Sequence, residues 1–305
     1  MLEVYFPISG VDIPIWLPPL VSFVISYFTS MAGISGAFLL LPFQMSVLGF
    51  TSPAVSPTNL VYNILAIPSG VYRYFREGRM LMPLTIIIIA GTLPGVIVGG
   101  FLRLEYLPNP KPFKVFVGLV LLYVGIRMFL DIAKNRKKEN SAETNSAVNQ
   151  VQWSAKTISF SLSSYVFEFQ DNIYKCRPQE IFFLSLIVGL IGGIYGIGGG
   201  AIIAPFLVAF YGLPVYTIAG ATLMGTFITS VIGVIFYQLI APMYESPTIA
   251  VSPDWALGVL FGLGGILGVY LGAKTQRFVS AIWLKLILGI TLLFVALSYL
   301  ISYFI

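Results

Sequence analysis

Residues 189–205 read GLIGGIYGIGGGAIIAP. An apolar run so rich in glycine, closed by Pro205, does not continue as one helix. An interior glycine costs about 1 kcal/mol relative to alanine, and a proline about 3 kcal/mol. The flanking apolar stretches, 180–195 and 199–212, are short, whereas a spanning helix needs about 20 residues. The run therefore reads as two short helices around a break at Gly196, Ile197, Gly198, Gly199 and Gly200. A weaker copy lies upstream, where residues 33–42 read GISGAFLLLP and separate short apolar stretches at 17–31 and 36–49.

The two copies belong to a longer repeat. A constant separation of 163 positions pairs Gly33 with Gly196, Gly36 with Gly199, Pro42 with Pro205, Leu60 with Leu223, Gly70 with Gly233 and Tyr74 with Tyr237. A longer loop then changes the register to 173, which pairs Gly91, Gly95 and Gly99 with Gly264, Gly268 and Gly272. Each copy ends in three longer apolar stretches, 57–76, 83–104 and 113–132 in the first, 217–241, 254–273 and 282–304 in the second. The glycine ladders, spaced every four residues, read as close-packing faces between helices.

Composition supplies the solvent. Of 305 residues 57% are hydrophobic and 10% charged, against about 25% charged in soluble domains. Such a chain belongs in lipid. There is no histidine and a single cysteine, Cys176. That excludes histidine relays, Ser-His-Asp triads and Cys or His metal clusters, so neither metal nor cofactor is expected. No nucleophile–base pair points to an enzyme. The net charge of +5 sits in loops and reads as a topology signal, not as a nucleic-acid footprint.

Cytoplasmic loops are enriched in Lys and Arg. Arg73, Arg76 and Arg79 crowd one loop; Lys134, Arg136, Lys137 and Lys138 open the middle segment; Lys274 and Arg277 mark a third. With these inside, both termini lie outside and residues 133–178 are cytoplasmic. Each half then crosses an odd net number of times, so the repeats are inverted. The expected fold is an all-α integral membrane protein of the cell membrane. It has a lead-in at 1–16, a first repeat at 17–132, an insert at 133–178 and a second repeat at 179–305. Each repeat is a re-entrant, broken helix pair plus three transmembrane helices. Residues 134–150 read as a polar linker. Alternation of Ile158, Phe160 and Leu162, then of Tyr165, Phe167 and Phe169, around Ser163 and Ser164 predicts a small β-hairpin.

Non-helical backbone at membrane depth is tolerated only where protein or a water-filled cavity covers it. Two matching breaks mark such a place. The half-helices that start there aim free N–H groups and positive dipole ends inward, which suits an anion. The substrate-binding candidates are Ser35, Gly36, Gly198, Gly199 and Gly200 at the breaks, with Asn59, Asn63, Thr222 and Thr226 on the helices that follow. Asn59 and Asn63 are one turn apart and pair with Thr222 and Thr226 at the 163 separation. Gln44 and Gln238 are weaker candidates. Interhelical hydrogen bonding is the competing role for these side chains. No acidic residue lies deep in a span, which favours an anion over a cation as cargo.

The motif at 189–205, the AGATL run at 219–223 and the weaker copy at 33–42 resemble the signature of the TauE/SafE family of sulfite and organosulfonate exporters. The resemblance covers both repeats but not the lead-in or the insert, and Ser35 stands where the second copy has Gly198. It implies transport of sulfite, organosulfonates or related sulfur-containing or organic anions across the cytoplasmic membrane, often as export. An ion-gradient-driven or facilitative transporter working by alternating access is the expected mechanism. A channel with the glycine breaks as its constriction is the alternative. The partners are then the small anion and the lipid bilayer, with a homo-oligomer left open.

Overall fold

The computed structural model describes residues 3–31, 33–139, 155–170, 172–247, 249–279 and 281–304. The first half contributes α1 (Leu17–Met31), α2 (Ala37–Ser46), α3 (Val55–Arg76), α4 (Met82–Tyr106) and α5 (Pro110–Glu139). The second contributes α6 (Pro178–Tyr195), α7 (Ile203–Tyr211), α8 (Val215–Tyr244), α9 (Trp255–Thr275) and α10 (Ala281–Phe304). Among the described residues five stretches are long and apolar enough to cross a membrane, in α4, α5, α6, α8 and α9. The molecule carries large apolar residues outward along these and neighbouring helices, among them Leu20, Phe28, Ile86, Phe183, Leu239, Leu263 and Phe294. Water would penalise that surface and lipid does not. Conversely α3, 22 residues long, buries Ser56, Thr58, Asn59 and Asn63 completely.

The halves interlock by exchanging helices. α1 packs along α9 and α4 along α6, while α3 lies against α8 and α9, α4 against α8, and α5 against α10. The glycine ladders make the closest of these contacts. A Cβ placed on Gly95 would stand 2.5 Å from the Leu186 carbonyl oxygen, and one on Gly268 would stand 2.5 Å from that of Phe23. Gly91 similarly abuts Ser185, and Gly264 abuts Ser22. Ser22, Phe23 and Ser185, Leu186 are related by the same 163 separation as the breaks, so each ladder serves the partner half's first helix.

Several expectations are corrected. The chain is mostly helical but not all-α. The lead-in forms an antiparallel hairpin of β1 (Glu3–Phe6) and β2 (Val11–Pro14), tied down where Ser9 N donates to Asp254 Oδ2 at 3.2 Å. The insert carries three antiparallel strands rather than two, β3 (Ala155–Phe160), β4 (Tyr165–Phe169) and β5 (Asn172–Cys176). On β4, Tyr165, Phe167 and Phe169 are buried against the helices. On β3, Ile158 and Phe160, with Leu162 beyond it, are exposed. A register shift between Thr157 and Ser159 separates the two patterns. Ala155 N donates to Gly78 O at 3.0 Å, which fixes the sheet to the loop after α3. Burial pushes the Cys176 thiol at the end of β5 up to about 11, and Glu180 adds to the shift.

Two boundaries also move. α5 stays helical through Glu139, past the expected repeat end at 132, while 140–150 of the expected linker lies outside the described residues. α6 starts at Pro178, a residue whose fixed φ suits the first helical turn, and so reaches 18 residues. At about 1.5 Å per residue it is long enough to cross, unlike α1, α2 and α7, which have 15, 10 and 9 residues. α7 doubles back on α6, bringing Tyr211 at its end beside Glu180 in the first turn of α6.

Overpacking a tight interface costs about 1–3 kcal/mol or more. Gly95→Val and Gly268→Val should each lower the melting temperature sharply or abolish extraction as a monodisperse species. Gly118→Ala, whose added Cβ would meet its neighbours at 3.3 Å, asks them to give by only a few tenths of an ångström and should cost much less than either. Size-exclusion chromatography with thermal melts of the three variants checks this.

Candidate functional site

The breaks are held by side chains of the opposite half. Asn59 Nδ2 on α3 donates to Gly196 O at 3.2 Å, in the second break. Thr222 Oγ1 on α8 donates to Gly33 O at 3.1 Å, in the first. Asn59 pairs with Thr222 and Gly33 with Gly196 at the same 163 separation, so the two bonds are one contact made twice. Asn59 Nδ2 also reaches Ala37 O at 3.0 Å, and its Oδ1 accepts from Gln44 Nε2 at 3.3 Å. One turn along, Asn63 Nδ2 donates to Ile197 O at 2.9 Å and to Ser230 Oγ at 3.1 Å. The Asn63 Oδ1 accepts a short bond from Ser35 Oγ, which in turn accepts from Ala37 N at 3.2 Å. These two amides thus join both breaks, and every polar member is buried.

The remaining predicted residues sit around this junction. Thr226 Oγ1 donates to Thr222 O at 2.9 Å, and its Cγ2 limits the space at Gly198. Gly200 lies against the backbone and side chain of Thr226. Gly36 faces the Tyr62 hydroxyl and Ser26, which share a 2.6 Å hydrogen bond. Gly199 turns toward Thr92 and Val96, while its N–H donates to Thr229 Oγ1 at 3.0 Å. A larger residue at Gly199 would therefore strain the α4 contact as well as the junction. Only some of the glycines are needed for conformation. Gly196 and Gly198 adopt φ of 80° and 85°, where other residues are strained, but Gly36 has φ −57° and is small for packing alone. Gln44 belongs to the network, whereas Gln238 is exposed.

The half-helix starts are already engaged. Phe38 N donates to Ser35 O, and Leu39 N and Leu40 N to Gly36 O. Beside the second break a crevice lined by Leu60, Val96, Gly193, Gly196, Gly198 and Tyr237 has no room for a water molecule. Reading the sequence missed Tyr62, Ser26, Thr229 and Ser230. It also missed the burial of two cations, Arg79 in the loop after α3 and Arg103 in the last turn of α4, although Arg103 stands inside the apolar stretch 83–104. No group of three or more His, Cys, Asp or Glu side chains gathers to hold a metal among the described residues.

A lipid-facing helical body whose buried polar groups converge on two interrupted helices is the build of a membrane transporter. The chain belongs to the family described as Sulfite exporter TauE/SafE, which matches residues 19–299. It is 21% identical over 271 residues to the Probable membrane transporter protein YunE of Bacillus subtilis (strain 168), covering 85% of this chain and 89% of that one. These are membrane transporters and not enzymes. No solved structure matches significantly.

A buried hydrogen bond between helices in a membrane is worth about 0.6 kcal/mol on average, up to about 1.7 kcal/mol. The Ser35–Asn63 pair, being fully buried, should lie in the upper part of that range. A double-mutant cycle with Ser35→Ala and Asn63→Ala, read by thermal or chemical unfolding in detergent, should give a coupling of about 1 kcal/mol. Strict additivity would mean the pair does not interact.

Proposed function

We propose that the protein is a secondary transporter that moves a small anion across the cell membrane by alternating access, with sulfite, an organosulfonate or a related sulfur-containing or organic anion as cargo and export as the direction. The observation that carries this reading is the twice-made contact at the breaks, Asn59 to Gly196 and Thr222 to Gly33. Two halves that hold each other's interrupted helices can trade those bonds for a ligand when they rock apart.

The ends of the molecule support inverted repeats, 17–132 and 179–305. At one end lie the N-terminal hairpin, Asp254 and the Ala54 N to Ala250 O bond of 3.0 Å. At the other lie the basic loop containing Arg79 and the sheet fixed to Gly78. The excess of Lys and Arg there supports a cytoplasmic second end with both termini outside. α3 and its counterpart α8 then run in opposite directions. The return of α7 to the start of α6 supports re-entrant pairs.

In this arrangement Ser35, Gly36, Gly198, Gly199 and Gly200 hold the anion through hydroxyl and backbone donors. Asn59, Asn63, Thr222 and Thr226 line it. These groups bond one another here, so the centre is in a closed state, and an anion enters by taking over donors that now serve carbonyl oxygens. Neutral donors suffice because hydrogen bonds to a charged acceptor are roughly twice as strong as neutral ones.

Labelled sulfite flux in proteoliposomes tests the reading. The wild type should show saturable uptake that is stimulated by sulfite on the opposite side. Ser35→Ala and Thr226→Val should each lower the rate by about tenfold or more in protein that still elutes as a monodisperse species, with Ser35→Ala also melting lower because Asn63 Oδ1 and Ala37 N lose their partner. Flux that never saturates would indicate a channel. Absence of flux for sulfite, sulfonates and simple carboxylates alike would overturn anion transport.

A further inference from the structure

Arg103 lies in the last turn of α4 and is fully buried. Its guanidinium stands 3.6 Å from the centre of the Phe113 ring. Yet its Nε, Nη1 and Nη2 all lack a hydrogen-bond partner among the described residues. The Tyr237 hydroxyl, close enough to feel that charge, is buried beside the Ser56 hydroxyl. A guanidinium carries five N–H donors and stays charged in proteins. Burying one without an acceptor is among the most costly arrangements a fold can hold, and the face of one aromatic ring offsets only part of that cost.

The other end of the molecule shows what a completed version looks like. The register that pairs Gly99 with Gly272 pairs Arg103 with Gln276, one turn further on, and Tyr237 is the counterpart of Tyr74. There Tyr74 OH donates to Gln276 Oε1 at 3.1 Å and Arg79 Nη1 to the same oxygen at 2.9 Å, while Gln276 Nε2 donates to Met31 O at 2.8 Å. Arg79 is further paired with Glu77. Tyr, Gln and Arg thus close one end entirely within the chain. At the opposite end Arg103 stands in the place of Gln276, and its N–H groups meet no acceptor among the described residues.

We propose that Arg103, with the hydroxyls of Tyr237 and Ser56, forms a second oxyanion site on the transport path, at the end opposite Arg79. This rests on the reading of the protein as an anion transporter and extends it beyond the breaks. Ser56 abuts the second break, since a Cβ on Gly196 would collide with its side chain. Tyr237 lines the narrow crevice that also touches Gly196 and Gly198. An anion leaving the junction on that side therefore meets a fixed cation next. The planar fork of Arg103 suits two oxygens of one sulfite, sulfonate or carboxylate group, and less so a spherical halide.

Purified wild type, Arg103→Gln, Arg103→Lys and Tyr237→Phe are compared by thermal shift and proteoliposome flux with sulfite, methanesulfonate, acetate and chloride. Sulfite or methanesulfonate should raise the wild-type melting temperature. Arg103→Gln should weaken that binding by about tenfold or more, the scale of a lost bond to a charged group. Its anion-free melting temperature should equal or exceed the wild-type value, because an unpaired charge has been removed. Arg103→Lys should recover part of the affinity, and Tyr237→Phe should weaken binding severalfold. Wild-type affinity and flux in Arg103→Gln would overturn the proposal, as would failure of that variant to fold with unchanged affinity in Tyr237→Phe. In those cases anion transport itself would stand. A wild type that neither binds nor moves any of the four anions would instead remove the transport reading and this site with it.

Discussion

Backbone N–H and C=O groups in hydrocarbon must find partners inside the protein, each unsatisfied one costing several kcal/mol. Two interrupted helices expose such groups at membrane depth, and the rest of the molecule is organised around satisfying them. Asn59 and Asn63 on α3 supply amide donors to the carbonyls of Gly196 and Ile197, and Thr222 on α8 supplies a hydroxyl to Gly33. Neither half could fold with its break covered unless the other were in place. That dependence accounts for burying Ser, Thr, Asn and Gln side chains in a chain whose outer surface is so apolar.

Reaching across the halves requires the helices to approach closely. The ladders Gly91, Gly95, Gly99 and Gly264, Gly268, Gly272 let α4 and α9 lie backbone to backbone against α6 and α1. In lipid there is little hydrophobic drive for helices to associate, so van der Waals contact and interhelical bonds must supply it. Stability and the junction's geometry are therefore linked. The same interlocking gives a body whose two ends are built from equivalent residues yet differ chemically. One end closes with Arg79, Gln276 and Tyr74, and the other leaves Arg103 without an acceptor among the described residues.

Much of this is legible in the sequence because glycine and proline carry backbone information that composition alone does not. The breaks at 33–36 and 196–200, the separation of 163 and the ladders follow from residue spacing, and the structure brings Ser35, Asn59, Asn63, Thr222 and Thr226 to one junction. What the sequence hides depends on tertiary contact. β1 and β2 are four residues each, and their pairing leans on Asp254 from the far end of the chain. The apolar side chains of β3 alternate as a buried strand would, but the register shift leaves Ile158 exposed. Arg103 reads as a charge at the end of a helix, and only its position one step beyond the Gly99–Gly272 pair hints that it continues the inward face. The carbonyls of Gly196 and Ile197 that Asn59 and Asn63 bind lie in the other half, more than a hundred positions along the chain.

The movement of the halves is best tested by pulsed electron resonance distances on two spin-labelled pairs in proteoliposomes. One pair, at Tyr72 and Lys274, flanks the end closed by Gln276. The other, at Tyr106 and Met243, flanks the end near Arg103. All four positions are exposed. Rocking about the junction predicts that saturating sulfite shifts the two distance distributions in opposite senses. Two distances that stay fixed, or that lengthen together, would contradict alternating access.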